Sequence, residues 1–122
     1  MKRATAAVVK HENKILIAQR AKDFFWEFPG GKIDAGETPA ECVVREMKEE
    51  LDIDIRIEKD LGVLEGTYRG IEMQVYAFLV AWTGGTIIQR VHKDVKWVEP
   101  RDLRRYPLVE EDKVILEKFL SV

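Results

Sequence analysis

The stretch from Thr38 to Leu51, TPAECVVREMKEEL, constrains this chain more than any other. Thr38 can cap a helix, Pro39 suits the first helical position, and Glu41 completes a Thr-x-x-Glu capping box. Ala40, Val43, Val44, Met47 and Leu51 recur at helical spacing and predict an apolar stripe that anchors the helix on a sheet. Glu46, Glu49 and Glu50 stand at i, i+3 and i+4, on a flank beside that stripe. Three acids on one face repel one another and weaken a helix. The same grouping suits a hard divalent cation, which takes oxygen ligands and bridges to substrate phosphates. Arg45 has Glu41 and Glu49 four residues to either side, so part of the charge is expected to be structural. Just before the helix, Gly30-Gly31-Lys32 offers backbone that can approach a metal or phosphate closely. Together these residues predict a metal and catalytic centre for chemistry on a phosphate anhydride.

The rest of the chain reads as strands around that helix. Ala4–Val9 and Lys14–Ala18 are apolar runs, with His11-Glu12-Asn13 as a hairpin turn. Residues 21–29, AKDFFWEFP, read as an aromatic loop. Ile53–Glu58 alternates apolar and charged residues, the pattern of a half-buried strand. Leu61–Tyr68 and Glu72–Trp82 predict two further strands joined at Arg69-Gly70, and Gly84-Gly85 another turn. Asp94–Glu99 is a short strand ended by Pro100. Leu103–Tyr106 suggests one helical turn, and Val109–Leu120 a C-terminal amphipathic helix. Two helices around a mixed sheet predict an α/β sandwich, and 122 residues fit one domain, 1–122.

The formal net charge of −2 supplies no global basic field for a nucleic-acid or membrane partner. No stretch approaches the length of a membrane span. Cys42 is the only cysteine, which excludes an internal disulfide and points to a reducing, cytoplasmic setting, with Cys42 an ordinary helix residue. Neither GxxxxGK[ST] nor GxGxxG occurs, so a P-loop and a dinucleotide fold are unsupported.

The run 31–53 resembles the Nudix box, G-x5-E-x7-R-E-U-x-E-E-x-G-U, where U is a bulky apolar residue. Gly31, Glu37, Arg45, Glu46, Met47, Glu49, Glu50 and Ile53 fill their places. Asp52 stands where the pattern has glycine; aspartate tolerates left-handed backbone better than most residues, so little loss of chemistry is expected. The segment WEFPGGKIDAGETP is similar to the MutT branch, and HKDVKWVEPRDLRRYPL to that branch and its CTP-hydrolysing relatives.

The resemblance implies a Nudix α/β/α sandwich and hydrolysis of a nucleoside diphosphate linked to another moiety, with Mg²⁺ or Mn²⁺. It implies Glu49, Glu50 and the Gly30 carbonyl as metal ligands, and Glu46 as a ligand or as the acceptor of the water proton. Arg45 and Glu37 would orient the glutamates. A further metal-binding glutamate of MutT-like proteins falls on Val91, which cannot bind metal; His92 and Asp94 are neighbouring candidates. Arg20 is similar to an arginine that contacts the nucleotide, Phe28 could touch the base, and Glu111 or Asp112 falls where relatives read the base edge. The implied reaction converts a (deoxy)nucleoside triphosphate, an oxidised purine or a pyrimidine one, to monophosphate and pyrophosphate. ADP-ribose or a dinucleoside polyphosphate as substrate, and a non-catalytic nucleotide-sensing module, are the alternatives. A nucleotide is the expected partner, without stable nucleic-acid or membrane binding, in a monomer or homodimer.

Overall fold

A computed structural model describes residues 1–121. Its centre is β1 (Lys2–His11), which runs parallel to β5 (Ile71–Gly84) in unbroken register from Lys2 opposite Met73 to Lys10 opposite Ala81. β4 (Asp54–Tyr68) pairs antiparallel with β5 on the outside. β2 (Lys14–Arg20) is registered with β1 only at the hairpin, through Lys10–Ile15 and His11–Lys14. It then pairs antiparallel with β3 (Trp26–Glu27) and with β6 (His92–Val98). The sheet order is β3-β2-β1-β5-β4, with β6 beside β2.

Where β2 leaves β1, residues 29–33 take its place. Ala7 donates to the Pro29 carbonyl at 2.7 Å, Thr5 to the Gly31 carbonyl at 2.8 Å, and Ile33 to the Arg3 carbonyl at 3.0 Å. Pro29 and Gly31 both turn their carbonyls to β1, so in extended chain the peptide groups of Gly30 between them face the other way, into the opening.

Both faces of this sheet are covered. Alternate residues of β1, Ala6 and Val8 against Ala7 and Val9, enter two separate cores. One core contains Val43, Met47 and Leu51 of α1 (Pro39–Leu51). The other contains Trp26, Phe28, Leu108 and Ile115, the last on α2 (Glu110–Ile115). This is the predicted α/β architecture, a mixed sheet between helices. Among the described residues no helix is long and apolar enough to cross a membrane.

α1 begins as its sequence demands: Thr38 and Glu41 form the reciprocal capping box. Its buried arc is rotated from the predicted stripe. Cys42, Val43, Met47 and Leu51 are buried, whereas Ala40 is exposed and Val44 is 45% exposed. At helical spacing Glu46 and Glu50 fall inside that arc and Glu49 outside it, which decides their environments. The helix ends on Asp52 in left-handed conformation (φ 57°, ψ 38°), whose N–H reaches the Lys48 and Met47 carbonyls. The aspartate thus performs the turn expected of glycine.

Other boundaries moved for identifiable reasons. The strands expected at 53–58 and 61–68 are one strand, because register shifts at Ile57/Lys59 and Asp60/Gly62 absorb the break in alternation. The two-residue turns Glu12-Asn13 and Arg69-Gly70 have positive φ at both positions, the geometry that joins twisted strands tightly. β6 starts at His92 rather than Asp94. The single turn near Leu103 spans Pro100–Arg105 as a 3₁₀ helix, with Pro100 at its start. The C-terminal helix passes from α2 into a wider π-helical turn, Leu116–Leu120. The loop 21–29 contributes the short β3.

Candidate active site

Arg45 organises the acids of α1. Its Nε donates to Glu37 Oε2 at 2.6 Å and its Nη2 to Glu37 Oε1 at 2.9 Å, a bidentate pair. Its Nη1 donates to Glu46 Oε1 at 2.9 Å and Glu49 Oε2 at 2.8 Å, and Nη2 also reaches the Lys32 carbonyl at 3.0 Å. Bonding to Arg45, aided by the Asp34 N–H, holds the Glu37 carboxyl down at about 2. The expected Arg45–Glu41 pair does not form, because Glu41 accepts from the Thr38 N–H at 2.9 Å in the capping box. The glycine loop lies directly on these acids: a side chain at Gly31 would overlap the Glu46 carboxylate, and one at Gly30 would overlap the Thr5 carbonyl. Buried Cys42 sits beneath, its thiol 3.3 Å from Thr5 Oγ1 and pushed up in pKa chiefly by burial.

Glu50 is the most perturbed of the three helix acids. Its side chain is 12% exposed, and Oε1 is buried with no hydrogen-bond partner. Burial first, then bonding and charge from Glu46 and the charge of Glu27, raise its carboxyl to about 9, against the stabilising Gly30 N–H. His92, with a side chain 3% exposed, places Nε2 2.9 Å from Glu27 Oε2 and 3.9 Å from Glu50 Oε1, while its Nδ1 is buried without a partner. Among the described residues no three histidine, cysteine or acidic side chains already converge as a finished cation cage; Glu46 and Glu49 are turned toward Arg45. The donor chemistry nevertheless fits a hard cation. Glu50 holds an unpartnered buried oxygen, Gly30 faces it, and Glu46 and Glu49 stand on the same helix.

Two depressions meet beside Gly30. The outer cleft, about 420 Å³, is lined by Glu50 and His92 together with the cations Lys2, Arg20, Lys22 and Arg69. The inner cavity, about 100 Å³, is lined by Phe28, Thr5 and Val75 and by Glu111 and Asp112. Lys2, Glu27, Gly30 and Arg69 line both. Asp112 is 3% exposed and accepts the Phe28 N–H at 2.8 Å. Burial, with the charges of Glu111 and Glu27, pushes its carboxyl well above the usual range, opposed by the Phe28 N–H and Arg69.

The residues singled out from the sequence therefore divide. Glu50 and Gly30 line the outer cleft with Arg20, which is 9% exposed and paired with Asp23 at 3.2 Å. Glu46 abuts Gly31, while Glu49 stays 58% exposed on Arg45. Phe28, at 3% exposure, belongs to the core and also lines the inner cavity. Glu111 is bound by Arg69, whose Nε donates to it at 3.0 Å, so of the two acids that line the inner cavity there, Asp112 is the one outside that ion pair. Val91 is 53% exposed at the outer cleft, and of its neighbours His92, not Asp94, lines that cleft.

Glu27 and Arg69 were missed. Glu27 lay in a stretch read as an aromatic loop, and Arg69 occupied a turn. A cation in a tight turn that joins two long strands has few reasons to be chosen for the turn itself, and that was the available signal.

Residues 1–119 match the family model described as the NUDIX domain. The chain is 31% identical over 121 residues to the CTP pyrophosphohydrolase of Escherichia coli K12, covering 96% of this chain and 90% of that protein. It is also 31% identical over 119 residues to the ADP-ribose pyrophosphatase of Methanocaldococcus jannaschii, covering 92% and 69%. The fold matches a solved MutT structure, from work on the Aliivibrio salmonicida and Vibrio cholerae proteins, with a TM-score of 0.83. That match has 25% identity and covers 99% of this chain and 97% of the other.

Proposed function

The chain belongs to the Nudix hydrolase family, and from that premise we propose that it hydrolyses a nucleoside triphosphate to the monophosphate and pyrophosphate, with Mg²⁺ or Mn²⁺ as cofactor. One observation carries this reading: a cation-flanked cleft floored by Glu50 opens into a cavity closed by the buried acid Asp112. A nucleotide is a chain of anions ending in a hydrogen-bonding ring, and the two depressions are complementary to those two halves.

Glu46, Glu49, Glu50 and the Gly30 carbonyl are the groups that would hold the cation. Bound there, it neutralises charge on the anhydride oxygens and acidifies the attacking water. Arg45 and Glu37 orient Glu46 and Glu49 through the bidentate pair, and Arg45 must release part of that grip as the acids turn inward. Glu46, close to Gly31 and to Glu50, is the candidate acceptor of the water proton. Arg20, with Lys22 and Arg69, faces the phosphates. Phe28 walls the base cavity, Glu111 braces Arg69, and Asp112 meets the base edge. Burial favours the protonated form of Asp112. A carboxylic acid offers a donor beside an acceptor, matching cytosine's ring nitrogen and amino group better than the adjacent donors of guanine. A pyrimidine triphosphate is therefore the preferred version over an oxidised purine one. The cytoplasm, where nucleoside triphosphates are made and used, is the compartment this reading assigns.

A second reading, hydrolysis of ADP-ribose, is favoured by the Methanocaldococcus relative. The deciding experiment measures pyrophosphate and phosphate release with Mg²⁺ and Mn²⁺. Its panel contains ordinary and oxidised nucleoside triphosphates, ADP-ribose and a dinucleoside polyphosphate, and its control is Glu50→Gln. Turnover of a triphosphate to monophosphate plus pyrophosphate, lost in the control, supports the proposal. Turnover of ADP-ribose alone replaces it with the second reading. Metal-dependent nucleotide binding without turnover makes the protein a sensing module.

A further inference from the structure

We propose that Glu27, oriented by His92, is the residue that reads the sugar of the nucleotide, accepting a hydrogen bond from a ribose hydroxyl. This rests on the proposed function, in which the phosphates lie in the outer cleft and the base in the inner cavity. Between those two ends a nucleoside triphosphate has only its sugar, which must lie where the depressions join. Lys2, Glu27, Gly30 and Arg69 line that junction. Arg69 is bound to Glu111, Gly30 has no side chain, and Lys2 can only donate. Glu27 is the acceptor side chain among them, and it is 27% exposed, open enough to meet a ligand.

The position of Glu27 between the two ends has independent support. Its charge acts on Glu50 at the phosphate end and on Asp112 at the base end. Its orientation is held from β6. His92 Nε2 lies 2.9 Å from Glu27 Oε2, on a ring 3% exposed. A carboxylate oxygen accepts, so the Nε2–H tautomer is the one that makes this contact. Nδ1 is buried without a partner, and a bare lone pair there is less costly than a stranded N–H. The imidazole thus presents Nε2–H to Glu27 and occupies one of its two oxygens, leaving Oε1 for the ligand. His92 is a positioning residue that never touches the sugar.

The test measures kcat and KM for matched ribo-, 2′-deoxy- and 2′,3′-dideoxynucleoside triphosphates of one base, in the wild type and in Glu27→Gln, His92→Leu and His92→Gln. Loss of a hydrogen bond to a charged acceptor is expected to lower kcat/KM for the dideoxy substrate by about ten- to a hundredfold in the wild type. Glu27→Gln flattens that preference, chiefly by weakening turnover of the hydroxylated substrates. His92→Leu flattens it partly, and His92→Gln, whose amide can donate near the Nε2 position, restores it. Melting temperatures of all variants check that they remain folded. A wild-type enzyme indifferent to sugar hydroxyls overturns the proposal, as does a preference that survives Glu27→Gln unchanged. Equal losses on all three substrates also overturn it, since they would make Glu27 a merely structural or cation-associated acid. A wild type that turns over no nucleoside triphosphate refutes the underlying function instead, so the two failures are distinguishable.

Discussion

Replacing Glu50 by glutamine should destroy activity and stabilise the metal-free protein. The folded-state pKa of Glu50 is about 9, against an ordinary value of 4.5, with burial as the leading cause. Between those values the folded protein holds a proton that the unfolded chain has released. Stability therefore falls as pH rises from about 4.5 to about 9. At pH 7 the penalty is at most about 3 kcal/mol, from 1.36 kcal/mol per unit. Repacking around Glu46 and entry of water reduce it to about 1–3 kcal/mol. Glutamine keeps the shape, still accepts the Gly30 N–H, and cannot ionise. For a chain of this size that amounts to roughly 3–10 °C in melting temperature. The assay is thermal or urea unfolding in EDTA at pH 6, 7 and 8, comparing wild type with Glu50→Gln. The gap should widen with pH. Adding Mg²⁺ should stabilise the wild type, by about 2.7 kcal/mol at a hundred times its dissociation constant, and leave the variant nearly unchanged. A variant less stable than wild type in EDTA at every pH, or a gap that does not grow with pH, refutes the reasoning.

Asp112→Asn keeps an acceptor for the Phe28 N–H and a donor beside it, and removes a carboxyl whose pKa burial raises, so it should keep the base preference and stabilise the protein increasingly as pH rises, read by urea unfolding at pH 6 and 8. Asp112→Leu strands that N–H and should cost about 1–3 kcal/mol by urea titration. Arg45→Lys cannot make the bidentate contact with Glu37 and should lower kcat/KM by about ten- to a hundredfold, as loss of a ligand-orienting partner does. Asp52→Gly, at a left-handed helix end, should change stability by less than about 1 kcal/mol in a melt, since glycine's easier backbone is offset by its greater unfolded-state freedom. Gly30→Ala must displace the Thr5 carbonyl and should destabilise by about 1–3 kcal/mol, measured by the same unfolding.

Much of the frame was legible because local rules agree along it. The capping box, the turns at Asn13 and Arg69-Gly70, and the apolar runs of β1 and β2 each reappear in the fold. Apolar periodicity sets the stripe of α1 over Val44, whereas the buried face carries Glu46 and Glu50 and leaves Val44 out. A buried acid carries no apolar signal, so periodicity alone places it outside. β4 reads as two strands in the sequence because bulges at Glu58 and Leu61 reset the side-chain alternation on which strand detection depends.

The two ends of the candidate site differ in how far apart along the chain their parts lie. At the phosphate end Glu37, Arg45, Glu46 and Glu49 bond to one another within a single capped helix and the loop before it. Helical spacing alone brings such residues together, so their order is visible as a motif. At the base end Asp112 meets the Phe28 N–H across 84 positions, and Arg69 meets Glu111 across 42. The contact between Glu27 and His92 spans 65. Those pairs exist only through tertiary pairing: β3 and β6 both pair with β2, which brings Glu27 to His92, and the chain leaving β3 continues as residues 29–33 beside β1. Phe28, which ties to Asp112, and Gly30, which faces Glu50, are two residues apart, so one extended segment joins the two ends. A substitution that tilts this segment, such as Gly30→Ala, should therefore raise KM and lower kcat together, whereas Asp112→Leu acts on base preference and changes confined to Arg45 act on turnover.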